Sequence, residues 1–196
     1  MTEPRRITDP GTLKALSHPL RRQIYRLLTQ HGPATVTLLT ERTGADPGQL
    51  SFHLRELAKR GFITEAPELA RDRRERWWQA EPGSWSWSST DFQDPAAKAI
   101  ADTAKQLMVA EEIDRIRAYE ASKQSLPDDW INAAVSSEYN LRLRPDELRE
   151  LTAEMHDVVM RWSAAGRIDP PVRPADRPDD GREAVFLFLH AFPETT

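Results

Sequence analysis

The sequence contains no cysteine. This absence excludes disulfide bonds, thiolate metal ligands and cysteine nucleophiles, and with them the zinc-finger architectures. Long apolar runs are also missing, since none approaches the roughly 18 residues that a membrane span needs. The start of the chain, MTEPRRITDP, has basic residues but no apolar block of a secretory signal behind them. We therefore expect a cytoplasmic protein that makes no contact with a membrane.

Recognisable catalytic patterns are absent as well. The five histidines, at positions 18, 31, 53, 156 and 190, are scattered and form no HxxxH pair. No glycine-rich phosphate loop and no nucleophile elbow occurs. The adjacent acids, such as Asp128 and Asp129, stand in charge-rich segments that are typical of solvated surfaces. We expect neither an enzyme nor a resident metal or cofactor.

Charge is distributed unevenly along the chain, although the net charge is only −4. Residues 1–80 carry 14 Lys and Arg against 9 Asp and Glu, whereas residues 81–196 carry 13 against 22. A basic first part and an acidic second part indicate two tasks. Only the first part suits contacts with phosphate groups.

The first 80 residues have clear helix punctuation. Pro10 opens a short helix, and a second helix runs from about Pro19 to the break at Gly32-Pro33. A third, short helix ends at Gly44, and Asp46-Pro47 opens a fourth that ends at Gly61. Leu50, Leu54 and Leu57 recur at helical spacing and predict its buried seam. Two strands follow, at Phe62–Thr64 and Trp77–Gln79, with a basic loop between them.

The second half predicts a different unit. Residues 81–95 have the composition of a linker, with tryptophans at positions 85 and 87 that this interpretation leaves unexplained. The pattern then predicts a long helix over residues 95–122, a strand over 135–143 and a helix over 145–166. A proline-rich loop over 169–182 and a buried apolar strand over 185–189 follow. The predicted domains are residues 10–82 and 95–196. The predicted fold class is mostly α with small β elements and a small α+β C-terminal unit.

Three sequence pieces carry a resemblance to a known family. They are LSHPLRRQI at residues 16–24, the Gly32-Pro33 break, and QLSFHLRELAKRGFI at residues 49–63. Together and in this order they resemble the ArsR family of bacterial winged helix-turn-helix repressors, over about residues 10–80. The second half is more loosely similar to the C-terminal part of some actinobacterial members, on its PDEL helix start at residues 145–148 and its Phe192-Pro193.

The resemblance implies a DNA-binding surface. The helix from Pro47 would enter the major groove, because its exposed face carries polar side chains that bond base edges or phosphates. The candidate DNA-binding residues on this helix are Gln49, Ser51, Phe52, His53, Arg55 and Lys59. For His53 a packed side chain remains an alternative to a base contact. The loop between the strands, called the wing, would add Arg71, Arg73 and Arg74 along the minor groove or backbone; the alternative is a solvated charged loop.

Trp77 and Trp78 are consecutive, so in a strand they face opposite sides. We expect one in the core and the other over the linker or a dimer interface.

Members of the family that sense metals use either a cysteine pair in the helix-turn-helix motif or histidines on the long helix. This chain has no cysteine, and its predicted long helix contains no histidine. The resemblance therefore implies a regulator that does not sense metals.

The predicted function is a sequence-specific transcriptional regulator that binds double-stranded DNA. We expect a homodimeric repressor, joined through residues 95–122, on a palindromic operator. A winged-helix protein-interaction module without specific DNA binding is the alternative. A small organic effector is a further candidate partner, since the C-terminal aromatic residues Trp130, Tyr139, Trp162, Phe186 and Phe188 either line a pocket or form a core.

Overall fold

The computed structural model describes residues 5–166 and 171–194. These residues divide into two compact units. Unit 1 contains the described residues up to Ala104 and those from Gly166 to Phe186. Unit 2 contains Lys105–Ala165 and the described residues from Leu187 onward. Whether the predicted domains, residues 10–82 and 95–196, fold on their own stays a prediction.

The fold is mostly helical with small sheets, as predicted. The helices are α1 (Pro10–Leu16), α2 (Pro19–His31), α3 (Val36–Thr43), α4 (Pro47–Lys59), α5 (Pro95–Ser122), α6 (Asp128–Ala133) and α7 (Pro145–Ala165). The strands are β1 (Arg5–Arg6), β2 (Ala34–Thr35), β3 (Ile63–Glu65), β4 (Trp77–Ala80) and β5 (Trp85–Ser86).

The predicted end of α3 and the predicted start of α4 are confirmed. The Asp46 side chain accepts hydrogen bonds from the backbone N–H groups of Gly48 and Gln49, so it caps the first turn of α4. Gly44 ends α3 in the left-handed conformation with φ of 68°, which a Cβ would disfavour. The side chains of Leu50, Leu54 and Leu57 are completely buried.

A three-stranded antiparallel sheet closes this unit, with the order β2-β4-β3. Ala34 lies opposite Trp78, and Ile63 lies opposite Ala80. Trp77 and Trp78 are 5% and 4% exposed, so both are buried. One of the pair lies in the core, as expected, while the other packs on Ala66 and Leu69 rather than over residues 81–95. They face opposite sides of β4, and each side has its own apolar cluster. Trp78 joins the main core, whereas Trp77 packs with Ala66 and Leu69.

Residues 81–95 are a structured part of unit 1 rather than the predicted linker. β5 pairs in parallel with β1, with Arg5 opposite Trp85. The Trp85 ring lies 4.5 Å from that of Phe62, and its Nε1 donates to the hydroxyl of Tyr25 at 3.1 Å. Trp87 Nε1 donates to the carbonyl of Ala101 on α5. These contacts explain the two tryptophans, and composition missed them because the partners are remote in sequence.

Helices account for the regular structure of unit 2. The predicted helix ranges agree with α5 and with α7. Residues 187–194 contact α5 through His190, whose Nε2 lies 2.7 Å from Oε2 of Glu112.

The strands predicted at residues 135–143 and 185–189 are wrong. The structure forms no β-ladder at either range. Their side chains are exposed rather than buried: Tyr139 by 78%, Val185 by 74% and Leu187 by 53%. A strand exists only where a neighbouring strand completes its hydrogen bonds, and within the described residues neither segment pairs with another strand. The predicted α+β character of the C-terminal unit is therefore not observed. The predicted loop at residues 169–182 is irregular over its described part, apart from one turn of 3₁₀ helix at Pro174–Asp176.

Candidate nucleic-acid interface

Helix α4 is held in unit 1 by its apolar seam and by an ion pair at its end. Arg60, directly after α4, contacts Asp9, the N-cap of α1, with 2.8 Å between Nη1 and Oδ2. The pKa of Asp9 lies below its ordinary value, first because the Thr12 hydroxyl donates to the carboxylate and further because of backbone N–H groups and Arg60. The Asp9 carboxylate therefore stays ionised and holds the C-terminal end of α4 through Arg60. No local sequence pattern predicts this contact, since 51 residues separate the pair.

The solvent-facing side of α4 carries most of the predicted contact residues. Gln49, Arg55 and Lys59 are exposed, and Phe52 is 51% exposed. Ser51 is half-buried, and its hydroxyl donates to the carbonyl of Pro47 at 2.8 Å. Since this bond uses the hydroxyl hydrogen, Ser51 faces a ligand as a hydrogen-bond acceptor.

His53 is buried, unlike the exposed residues of α4. It is only 8% exposed, and its ring lies 4.3 Å from the ring of His18, the N-cap of α2. Its buried Nδ1 has no hydrogen-bond partner among the described residues. Burial lowers the pKa of both histidines, and the nearby charge of Arg21 lowers each further. Glu56 acts in the opposite direction on His53. In this position His53 contacts α2.

A pH dependence of folding follows from this histidine pair. The unfolded chain takes up protons near the ordinary pKa of 6.5, and the folded state takes them up only at lower pH. The free energy of unfolding is therefore expected to be fully retained above that pKa and to fall as the pH drops through it. Urea denaturation between pH 8 and pH 5 measures the loss. His53→Gln should make it smaller. An equal loss in the wild type and in this variant would contradict the assignment.

The wing, residues 66–76, is organised by its own side chains. The Asp72 carboxylate accepts the backbone N–H groups of Arg74 and Glu75 at 2.7 and 3.1 Å, which folds the tip into a turn. The Glu75 carboxylate accepts the N–H of Arg71 at 2.7 Å, and this bond is the first cause of its lowered pKa. Asp72 and Glu75 thus bind the backbone of the wing.

The arginines of the wing are directed to solvent. Arg71, Arg73 and Arg74, all predicted contact residues, are exposed. Arg76 lies 3.5 Å from Glu65 across the hairpin. β3, the strand that leads into the wing, begins four residues after α4 ends. A short connection therefore joins α4 to the hairpin that carries the wing. Unit 1 thus presents an exposed polar helix face and a basic loop, which together can bind a polyanion.

Two other properties concern the described residues as a whole. No helix among residues 5–166 and 171–194 combines the length and the apolar character that crossing a bilayer requires. Over the same residues, no group of three or more His, Asp or Glu side chains is arranged to hold a metal ion.

Comparison with solved structures finds several regulators with partial similarity. HlyU from Vibrio cholerae is 20% identical, with 50% of this chain and 87% of that chain covered and a TM-score of 0.32. A possible transcriptional regulator for arsenical resistance is 27% identical, with 55% and 94% covered and a TM-score of 0.32. A transcriptional regulator homologue from Pyrococcus horikoshii is 21% identical, with 50% and 87% covered and the same TM-score. These TM-scores are low, so the fold assignment follows from the elements described above.

Sequence comparison is more specific for the first part of the chain. No curated protein matches the chain. Residues 16–66, which include α2, α3, α4 and β3, match the family described as helix-turn-helix domain. Residues 16–66 are therefore similar to a helix-turn-helix domain, and the order α2, α3, α4, β3, wing and β4 is that of the winged form of this fold.

Proposed function

We propose that this protein is a DNA-binding transcriptional regulator of the ArsR type. The observation that carries the proposal is the division of α4 into two sides. One side is a leucine seam with no solvent exposure, and the other exposes Gln49, Phe52, Arg55 and Lys59. A helix fixed in this way presents a constant polar surface, and an α-helix fits the major groove of B-DNA.

Each exposed side chain has a role in this proposal. Gln49, in the first turn of α4, has the two-sided amide that pairs with adenine, and Phe52 offers a ring to a thymine methyl group. Arg55 and Lys59 lie further along the helix, where they contact phosphates. The wing arginines add phosphate or minor-groove contacts. His53 supports α4 from behind, because its buried ring packs against His18.

The salt dependence of binding tests the proposal. Purified protein is used to select bound fragments from genomic DNA, and the affinity for a selected site is measured by fluorescence anisotropy from 50 to 200 mM salt. Because phosphate contacts release counterions, log K should fall linearly with log salt, by about 0.9 per contact. An affinity independent of salt, or selection without sequence enrichment, would instead favour a winged-helix protein-interaction module.

Two substitutions on α4 separate base recognition from phosphate contact. Arg55→Ala should weaken binding to all sequences and reduce the salt slope by about 1. Gln49→Ala should relax the preference at one base pair, with a loss of roughly 1–3 kcal/mol in discrimination. Competition with single-base variants of the selected site measures both effects. The same loss on every sequence for both variants would contradict the assigned roles.

The proposed regulator is a homodimer joined through α5. This helix exposes Leu107, Ile113 and Ile116 by 41–43% each. Such side chains are suited to a partner helix, and a dimer would place two α4 helices in successive major grooves of a palindromic site. A palindromic consensus among the selected fragments would support this arrangement.

A charged substitution on α5 tests whether the protein dimerises through this helix. Ile116→Asp is expected to shift the protein to the monomer in analytical ultracentrifugation and to weaken binding to a full palindromic site. Ala118→Asp introduces the same charge at an exposed position nearly opposite on the same helix, and it should leave the dimer intact. A wild-type monomer with full specific affinity would contradict the proposal.

The proposal extends to repression by promoter occlusion and to the actinobacterial subtype suggested by the second half of the chain. A small organic effector belongs to it as well. Of the aromatic residues expected to line a pocket or form a core, Tyr139 and Trp162 are 78% and 76% exposed, so neither belongs to a core of the described residues. A thermal-shift survey of metabolites tests this part, and no stabilisation by any compound would contradict it.

A further inference from the structure

A segment from the C-terminal half of the chain reaches the base of the wing. Arg173 donates from Nε and Nη2 to the backbone carbonyl of Leu69, with distances of 2.9 and 2.6 Å. These residues are 104 positions apart, and both belong to unit 1. The Arg173 side chain is only 20% exposed. Two charged donors on one oxygen form a stronger contact than a neutral hydrogen bond.

The same guanidinium also lies near the other stem of the wing. Its Cζ is 5.9 Å from the centre of the Trp77 ring. Leu69 precedes the basic tip, residues 71–76, and Trp77 follows it. Together with Ala66, these two residues form the small apolar cluster under the loop. A single side chain therefore contacts both ends of the segment that carries the basic tip.

The two stems of the wing are held differently. The tip closes on itself through Asp72 and Glu75, and the stems are joined by the bond from Ala66 N–H to the Trp77 carbonyl. Trp77 also lies in the sheet, opposite Thr35 of β2, whereas Leu69 lies outside the strands, in one turn of 3₁₀ helix at Pro67–Leu69. The guanidinium has a rigid planar fork of donors, which suits it to holding one carbonyl in a defined position.

We propose that Arg173 is a positioning residue that holds the base of the wing and so directs Arg71, Arg73 and Arg74 toward DNA. The expected effect on DNA binding rests on the proposed function. The expected effect on the wing rests only on the contacts of Arg173 with Leu69 and Trp77. Arg173 is not a direct DNA contact here, because its side chain is largely buried, its Nε and Nη2 groups are bonded to Leu69, and its Nη1 lies 4.0 Å from Oδ2 of Asp176.

Hydrogen exchange without DNA tests the effect on the wing. Arg173→Ala should accelerate exchange at least tenfold at the bonded wing amides of Ala66 and Ala70, while the amides of α4 keep their rates. Arg173→Lys retains the charge but not the fork, so it should behave like Arg173→Ala. Arg182→Ala is the matched control, because that arginine pairs with Asp180 and is 66% exposed. Unchanged wing exchange in both Arg173 variants would overturn the proposal, and so would full rescue by lysine.

DNA binding then distinguishes positioning from direct contact. Alone, Arg173→Ala should weaken binding about tenfold. In a protein that already lacks Arg71, Arg73 and Arg74, it should cause no further loss, since it acts through those side chains. A drop of about 0.9 in salt slope in both backgrounds would identify a direct phosphate contact and overturn the proposal. If the wild type does not bind DNA, the proposed function fails, while the exchange experiment still decides whether Arg173 holds the wing.

Discussion

Replacing Arg71, Arg73 and Arg74 together by alanine is expected to cause the largest loss of DNA affinity. Their side chains are exposed at a tip whose backbone is folded by Asp72 and Glu75, so their removal leaves the loop intact. If each cation neutralises one phosphate, the slope of log K against log salt should decrease by about 2.7 for each wing on the DNA. Fluorescence anisotropy over a salt series measures both the affinity and the slope.

The control for this triple variant removes the same charge elsewhere. Arg142, Arg149 and Arg161 are exposed and belong to unit 2. Their replacement by alanine should leave the salt slope unchanged. Equal slopes for wild type and the wing variant would show that the wing does not contact phosphate, whereas equal decreases in both triple variants would show an effect of net charge alone.

The largest expected effect on stability comes from Leu54→Ala. This side chain belongs to the leucine seam of α4 and is completely buried in the hydrophobic core. Its truncation removes apolar contacts and leaves a cavity, so the free energy of unfolding should fall by about 2–5 kcal/mol. Urea denaturation followed by near-ultraviolet circular dichroism measures the change, because the buried Trp77 and Trp78 contribute to that signal.

Phe52 provides the comparison on the same helix. It is 51% exposed and lies on the side of α4 that we propose faces DNA. Phe52→Ala should change the free energy of unfolding by no more than about 0.5 kcal/mol, as is usual for surface positions, while it weakens binding to sites with a contacted thymine. A large loss of stability in Phe52→Ala, or a small one in Leu54→Ala, would contradict the assignment of the two sides of α4.

The helices of unit 1 and the long helices of unit 2 could be predicted because their signals are local. A cap such as Asp46 bonds N–H groups two and three residues ahead, and Gly44 terminates α3 through its own backbone conformation. The leucine seam of α4 repeats every three to four residues. Each of these interactions is contained within one or two turns of helix, so neighbouring residues are sufficient to specify it.

The errors concern features that depend on remote partners. The apolar ranges 135–143 and 185–189 have the composition of strands, but no described segment completes their ladders. Residues 81–95 have the composition of a linker, yet Trp85 packs on Phe62 and β5 pairs with β1. Composition describes a segment alone, whereas both outcomes depend on what lies beside it.

The candidate site divides in the same way. The order of helices, the polar face of α4 and the basic tip of the wing were determined by the sequence, because periodicity and capping place those side chains on one face or in one loop. Only the tertiary structure decided that His53 packs against His18, that Arg60 binds Asp9, and that Arg173 holds Leu69. These contacts join residues 35 to 104 positions apart. Their geometry depends on how whole elements pack, which no local pattern records.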